Sequence, residues 1–210
     1  MKEIKAVIFD YGNVLCHEHL DSDLEEMAKV IGVDVQTFKD AYWHYRLDYD
    51  AGKSFDSHYY QMVAAKCAVA SITAEQIKQC IDFDNAGWSR PNQTMVDWAH
   101  RLRAHGTKIA ILSNMPQDFR DFFPTCTWLP DFDHATYSCE LKSVKPAYEI
   151  YHHSLNGLGV APENVLFIDD RLANIEAARE LGWQGFVFTT AEDLDDFIKD
   201  TNLPRVIVHR

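Results

Sequence analysis

Residues Ala6 to Leu15 read Ala-Val-Ile-Phe-Asp-Tyr-Gly-Asn-Val-Leu, four apolar side chains in a row that stop on the carboxylate of Asp10. An unbroken apolar tetrad suits a strand covered on both faces, as in a parallel sheet. Gly12-Asn13, just beyond, breaks that strand into a turn. Asp10 therefore stands at the carboxyl edge of a strand, where open α/β sheets bind their ligands. The pattern recurs late in the chain, where Val165-Leu166-Phe167-Ile168 runs into Asp169-Asp170. Stability alone does not account for two apolar strands that each end in acid.

Working outward, Lys5 to Phe9 form the first strand, and residues 17–88 contain no convincing strand. Helices are expected instead over 23–31, 35–51, 57–70 and 74–81, separated at Gly32, at Gly52-Lys53-Ser54 and at Ser71-Ile72-Thr73. Thr73 with Gln76 three residues on has the pattern of a capping box. Pro91-Asn92 open a helix with Met95, Val96, Trp98, Ala99 and Leu102 on its apolar stripe, stopping near Gly106. There follow a strand at 108–112, a loop region with Pro116, Pro124 and Pro130, and a weaker strand at 135–138. A helix from 147 to 155 is expected to end at Gly157. A strand at 165–168, a helix at 173–181 stopped by Gly182, and a last strand at 185–188 complete the pattern. Such alternation predicts an α/β fold, a doubly wound, Rossmann-like parallel sheet with right-handed connections. Residues 1–16 and 89–210 would form the α/β core. The insertion at 17–88 is too long for a plain crossover and reads as a helical cap over the edge that carries Asp10.

Composition bounds the chemistry. The 210 residues are 47% hydrophobic and 12% aromatic, values of a globular chain with one sizeable core. No stretch approaches the apolar length that crosses a bilayer, and the Met-Lys-Glu start lacks a signal-peptide pattern. The five cysteines are scattered and include no Cys-x-x-Cys pair, which fits reduced thiols and a cytoplasmic location. A net charge of −12 argues against nucleic acid and anionic membranes as partners. An acidic protein acting on an anionic substrate needs a local cation.

Four signals fall at or just beyond predicted strand ends: Asp10, Ser113-Asn114, Lys145-Pro146 and Asp169-Asp170. Each alone has an ordinary structural explanation, as a turn residue, a helix cap, a solvated lysine or a dipole-facing acid pair. In this order, running from Phe9-Asp10-Tyr11-Gly12-Asn13-Val14-Leu15 to Asn174-Ile175-Glu176-Ala177-Ala178, they resemble the haloacid dehalogenase-like hydrolases over nearly the whole chain. The Gly12-Asn13 variant looks like the subgroup with bacterial α-D-glucose-1-phosphate phosphatases. The resemblance implies a Mg²⁺-dependent phosphatase of a small phosphorylated metabolite. Asp10 would be the nucleophile, forming an aspartyl-phosphate. The metal would be held by Asp10, Asp170 and the carbonyl of Gly12, with Asp169 sharing it or orienting its waters. Lys145 would neutralise the phosphoryl oxygens, and Ser113 with Asn114 would complete the phosphate cradle.

One departure matters. Most phosphatases of this type carry a second Asp two residues after the nucleophile as general acid and base, and here that position is Gly12. The anomeric oxygen of a sugar-1-phosphate is a better leaving group than an ordinary alcohol, which makes a sugar phosphate an expected substrate. His17, Glu18 and His19 are candidates for the missing proton donor. The aromatic and polar residues of the insert (Tyr42, Trp43, His44, Tyr45, Arg46, Tyr49, Tyr59, Tyr60) are dense enough to line a pocket; they are expected chiefly in its own core, with some facing the site. Two other readings compete: a metal-independent haloacid dehalogenase, and a phospho-ligand-binding protein of low or no activity.

Overall fold

The structure is a computed structural model that describes residues 2–53 and 56–207. Five strands, β1 (Ala6–Phe9), β2 (Lys108–Ser113), β3 (His134–Tyr137), β4 (Val165–Asp169) and β5 (Gln184–Val187), form one sheet in the order β3-β2-β1-β4-β5, every pairing parallel. The strand order turns back between β1 and β4, the switch point at which doubly wound sheets open a crevice.

Alternation along each strand splits the core into two layers. Val7, Phe9, Ile109, Ile111, Leu166 and Ile168 pack with Trp98 and Leu102 of α5 (Gln93–Ala104) and with Leu194 and Ile198 of α10 (Ala191–Ile198). On the other face Ile8, Ala110, Leu112 and Phe167 meet Ile150 and Tyr151 of α8 (Tyr148–Leu158) and Ile175 of α9 (Leu172–Glu180). Two short helices, α6 (Gln117–Phe122) and α7 (Ser138–Leu141), occupy the loop region beyond β2 and the turn beyond β3.

Between β1 and β2 lie α1 (Asp21–Ile31), α2 (Val35–Asp50), α3 (Asp56–Lys66) and α4 (Ala74–Gly87), whose buried side chains form a separate cluster. At the start of α4 the Thr73–Gln76 capping box is present in both directions, with Gln76 N–H on Thr73 Oγ1 and Thr73 N–H on Gln76 Oε1. Ser54, expected in the break before α3, lies outside the described residues. Several expectations need correction. The helix expected to stop at Gly157 continues to Leu158 and is capped by Gly159 at φ 63°, because only Gly159 takes the left-handed conformation. Gly157 lies inside the helix, where its missing side chain makes room for the His134 ring. Helix α4 runs six residues past Ile81, to Gly87, and α3 stops at Lys66 rather than Ala70. Helices α6, α7 and α10 were not anticipated; each is eight residues or shorter, too short for a clear periodic signal.

A buried ionic hub holds the insert together. Asp84 on α4 accepts hydrogen bonds from Tyr42 Oη (2.8 Å) and Tyr60 Oη (3.0 Å) and lies 3.2 Å from Arg46 Nη1 and 3.0 Å from His19 Nε2. Burial opposes the charge of Asp84, yet Arg46 and His19 together hold its carboxyl below the ordinary range. A depressed folded-state pKa contributes stability above the unfolded carboxylate value of about 3.9, and that contribution is lost as pH falls below it. Removing Asp84 leaves the buried Arg46 guanidinium only half paired, with Asp50, and leaves the Tyr42 and Tyr60 hydroxyls without their acceptor. Asp84→Ala is therefore expected to lower the unfolding free energy in urea at pH 7 by about 3–5 kcal/mol, with the difference from wild type shrinking on acidification. A loss below about 1 kcal/mol would contradict the hub's role.

Candidate active site

Three neighbouring strand ends build the site. Phe9 is in register with Ile168 on one side and Ile111 on the other, so Asp10 leaves the sheet between Asp169, the last residue of β4, and the end of β2, where Ser113 stands. Asp10 N–H donates to the carbonyl of Ile168 at 2.8 Å, which holds the acid on the sheet edge.

Lys145 reaches between the two strands. Its Nζ is 2.7 Å from Asp10 Oδ1 and 2.7 Å from Asp169 Oδ2, and the residue is only 3% exposed. Asn114 positions the lysine's backbone: its Oδ1 accepts from Lys145 N–H at 2.8 Å and its Nδ2 donates to the Lys145 carbonyl at 3.3 Å. Asn114 thus lines the cavity while its amide is engaged with the lysine loop. Among the described residues Ser113 Oγ makes a single long contact, 3.5 Å to the carbonyl of Asn114, and its hydroxyl is left available to the cavity it lines.

The three carboxylates are held differently. Asp169 is fully buried and its oxygens are engaged by Arg171 N–H (2.8 Å), Asn174 Nδ2 (2.9 and 3.0 Å) and Lys145. Asp170 Oδ2 accepts from Asn13 Nδ2 at 2.9 Å. Asn13 makes that contact from φ 58°, a left-handed conformation that asparagine tolerates better than most residues. Asp10 Oδ1 takes Tyr11 N–H at 2.7 Å as well as Lys145, which leaves Oδ2 without a hydrogen bond among the described residues. Burial pushes the Asp10 carboxyl up to about 8; Lys145 opposes the shift, and Asp169 and Asp170 reinforce it. Burial likewise works against the charge of Lys145, but Asp10 and Asp169 hold its pKa above the ordinary lysine value.

One lysine does not balance three acids. Asp10, Asp169 and Asp170 each offer a carboxylate oxygen, all within 4.8 Å of one another. Hard oxygen donors with surplus negative charge fit a divalent ion such as Mg²⁺. Asp10 and Asp170 line the cavity together with Gly12, whereas the saturated Asp169 lies behind them and orders Lys145 and the start of α9.

The cavity, of about 710 Å³, is closed from above by the insert, which contributes Trp43, Arg46, Leu47 and Asp50 from α2, with Trp88 just beyond α4. The proton-donor candidates of the sequence do not reach it. His17 and Glu18 are exposed and outside the lining, and His19 is buried in the hub with Asp84, because the chain turns away from the site after Cys16. Tyr42, Tyr49, Tyr59 and Tyr60 belong to the core of the insert. Of the insert residues expected near a pocket, Trp43 and Arg46 line it. The sequence does not mark Asn13, Asn174, Asp50 or Trp88 as site residues; Asn13 and Asn174 stand inside the quoted motifs, but their roles depend on strand adjacency.

With this geometry in place, similarity to known proteins becomes informative. A family model described as haloacid dehalogenase-like hydrolase matches residues 4–182. A sesquiterpene phosphatase of Aspergillus oryzae is 26% identical over 187 residues, covering 88% of this chain and 90% of its own. A D-ribitol-5-phosphate phosphatase of Bacteroides thetaiotaomicron is 25% identical over 197 residues, covering 87% and 91%. Among solved structures, a HAD family enzyme of Bacteroides thetaiotaomicron, crystallised as a magnesium complex, superposes with a TM-score of 0.75 at 21% identity, covering 95% of this chain and all of that one. At that identity the likeness speaks for the fold.

The buried Asp10–Lys145–Asp169 bridge generates a direct test. Lys145→Met leaves two buried carboxylates without their cation and is expected to lower the unfolding free energy by about 3–5 kcal/mol in chemical denaturation at pH 7. A loss under about 1 kcal/mol would show that the bridge does not hold the site together.

Proposed function

The chain belongs to the haloacid dehalogenase-like hydrolase family, and from that premise we propose that it is a Mg²⁺-dependent phosphatase of a small phosphorylated metabolite. The observation that carries the reading is the asymmetry of Asp10. One oxygen is fixed by Lys145 and Tyr11 N–H, while the other is free at a cavity that also holds a second, ordered carboxylate, Asp170. A nucleophile needs that combination of fixed position and free lone pair.

In this reading Asp10 Oδ2 attacks phosphorus and the bond to the ester oxygen breaks, leaving an aspartyl-phosphate that water then hydrolyses. Lys145 faces the phosphoryl oxygens as a point cation. The Ser113 hydroxyl donates to the same group, and Asn114 keeps the lysine in place. Asp10, Asp170 and the Gly12 carbonyl would hold Mg²⁺, which supplies charge neutralisation between the two anions. Asp169 is a positioning residue for Lys145. The two curated relatives, both phosphatases, support the reaction class, and the magnesium-bound fold relative supports the metal. Their substrates differ from each other, a terpenoid in one case and a polyol phosphate in the other, and a sugar-1-phosphate is the expected substrate here on leaving-group grounds. A haloacid carboxylate would meet the surplus negative charge of three acids, which argues against the dehalogenase reading.

The test is a screen of phosphorylated metabolites for phosphate release with Mg²⁺. Asp10→Asn is expected to reduce release to background on every substrate that wild type hydrolyses, and chelation to do the same reversibly. Metal binding is read independently by thermal unfolding: Mg²⁺ at about 100 times its Kd should stabilise wild type by about 2.7 kcal/mol, and much less in Asp170→Asn. Turnover that survives Asp10→Asn would defeat the mechanism.

A further inference from the structure

The phosphatase reading leaves the proton on the departing oxygen unassigned, because position 12 has no side chain. The structure leaves little room for one. A Cβ on Gly12 would lie 3.2 Å from the Trp88 ring, a tight contact that the ring would have to relieve by a small shift. That ring is itself wedged against His19, with centroids 4.7 Å apart, and under the Arg46 guanidinium at 5.7 Å. Trp88 occupies the space from which a residue at position 12 would act.

Besides the two acids proposed for the metal, Asp10 and Asp170, one other carboxylate lines the cavity among the described residues: Asp50, at the end of α2. It comes from the insert rather than from the strand ends that carry Asp10 and Asp170. Resting on the phosphatase reading, we propose that Asp50 is the catalytic acid and base of this site, supplied by the insert in place of a side chain at position 12.

Its setting suits the task. Arg46 Nε donates to Asp50 Oδ1 at 2.7 Å, and Oδ2 takes no hydrogen bond among the described residues, so that oxygen is free to carry a proton in a residue that lines the cavity. The backbone is pinned to the core. The Asp50 carbonyl accepts from Ser138 Oγ at 2.5 Å, and that hydroxyl accepts from Met115 N–H at 2.9 Å, one residue beyond Asn114. Two residues on, Gly52 at φ 63° passes so close to Cys139 that a Cβ would lie 2.8 Å from its carbonyl oxygen. Lys142 Nζ clasps the Gly52 carbonyl at 2.9 Å. Asp50 is thereby fixed over the site rather than carried on a loose lid.

The groups facing it are Arg46 on its own helix, Tyr59 from α3, Asp84 from α4 and Lys145 from the core. Burial raises the Asp50 carboxyl to about 6, against Arg46 and Lys145 and with Asp84 adding to the rise. A carboxylic acid of that strength is poised to give up its proton near neutrality. As Asp10 Oδ2 bonds to phosphorus and the ester P–O bond breaks, the Oδ2 proton of Asp50 passes to the departing oxygen, releasing an alcohol and an Asp50 carboxylate that Arg46 stabilises. Water then attacks the phosphorus of the aspartyl-phosphate and gives its proton to Asp50. Inorganic phosphate leaves, Asp10 is freed, and the Asp50 acid is restored.

The test compares p-nitrophenyl phosphate, whose leaving group needs no proton, with the alkyl phosphate turned over fastest in the metabolite screen. In kcat/KM, which covers the steps through P–O cleavage, Asp50→Asn is expected to lose about 10²–10⁴-fold on the alkyl ester and a far smaller factor on the aryl ester. Asp50→Glu should restore much of that difference. In wild type, kcat/KM on the alkyl ester should fall at high pH along a limb that p-nitrophenyl phosphate lacks, and this decides the matter should Asp50→Asn fail to fold. Equal losses on both substrates, no loss on either, or superimposable wild-type pH profiles would overturn the role of Asp50. Turnover persisting in Asp10→Asn would instead sink the phosphatase reading beneath it.

Discussion

The structure depends on a lysine buried between two acids. Lys145 lies between Asp10 and Asp169, at 2.7 Å from each, at the junction of the two central strands. Burying any one of these charges alone is prohibitive, and burying all three is tolerable only because each satisfies another. The parallel register of β1 and β4 brings the two acids side by side, and the Asn114 amide sets the lysine at the right height. The same arrangement leaves the site short of positive charge once Asp170 is counted. In the function proposed above, a divalent cation would offset that deficit before a phosphate dianion is bound. Stability and chemistry are therefore one constraint: the contacts that allow acids to be buried at the sheet edge also orient the free oxygen of Asp10.

The insert obeys a second, separable constraint. Its helices close around the Asp84–Arg46 hub and a stack of tyrosines, including Tyr49 on Tyr59 at 3.9 Å between ring centroids. Arg46 belongs both to that hub and to the cavity roof, and it also binds Asp50. Packing inside the insert thus sets where its charged pair meets the core. The Ser138, Lys142 and Gly52 contacts then fix how closely the two bodies approach.

Much of this is legible from the chain. Apolar strands ending in acid announce Asp10 and Asp169-Asp170, because a central parallel strand has a continuous apolar run and its carboxyl end has a known fate. The start of α4, marked in the sequence by Thr73 with Gln76 three residues on, is capped as that pattern predicts. What escapes has a common cause. The clasp of Asn13 on Asp170 joins residues 157 apart, and nothing local to either marks it. Asp50 reads as one more acid at a helix end; only its docking against Ser138 and its place in the cavity lining distinguish it. His19, adjacent in sequence to the motif, is drawn into the hub by Asp84, so proximity along the chain misleads about proximity to the site. Gly157 shows the same limit for secondary structure: a glycine can mark a helix end or make room for a neighbouring ring, and only the fold tells which.

The central claim is that the free oxygen of Asp10 becomes bonded to phosphorus. The most direct measurement is acid quenching of the enzyme during turnover of an activated aryl phosphate with Mg²⁺, followed by peptide mass analysis. The account predicts one added phosphoryl group, labile to hydroxylamine as an acyl phosphate must be, on the peptide that carries Asp10. Active turnover with that peptide unmodified, or with the phosphoryl group on another residue, would contradict it.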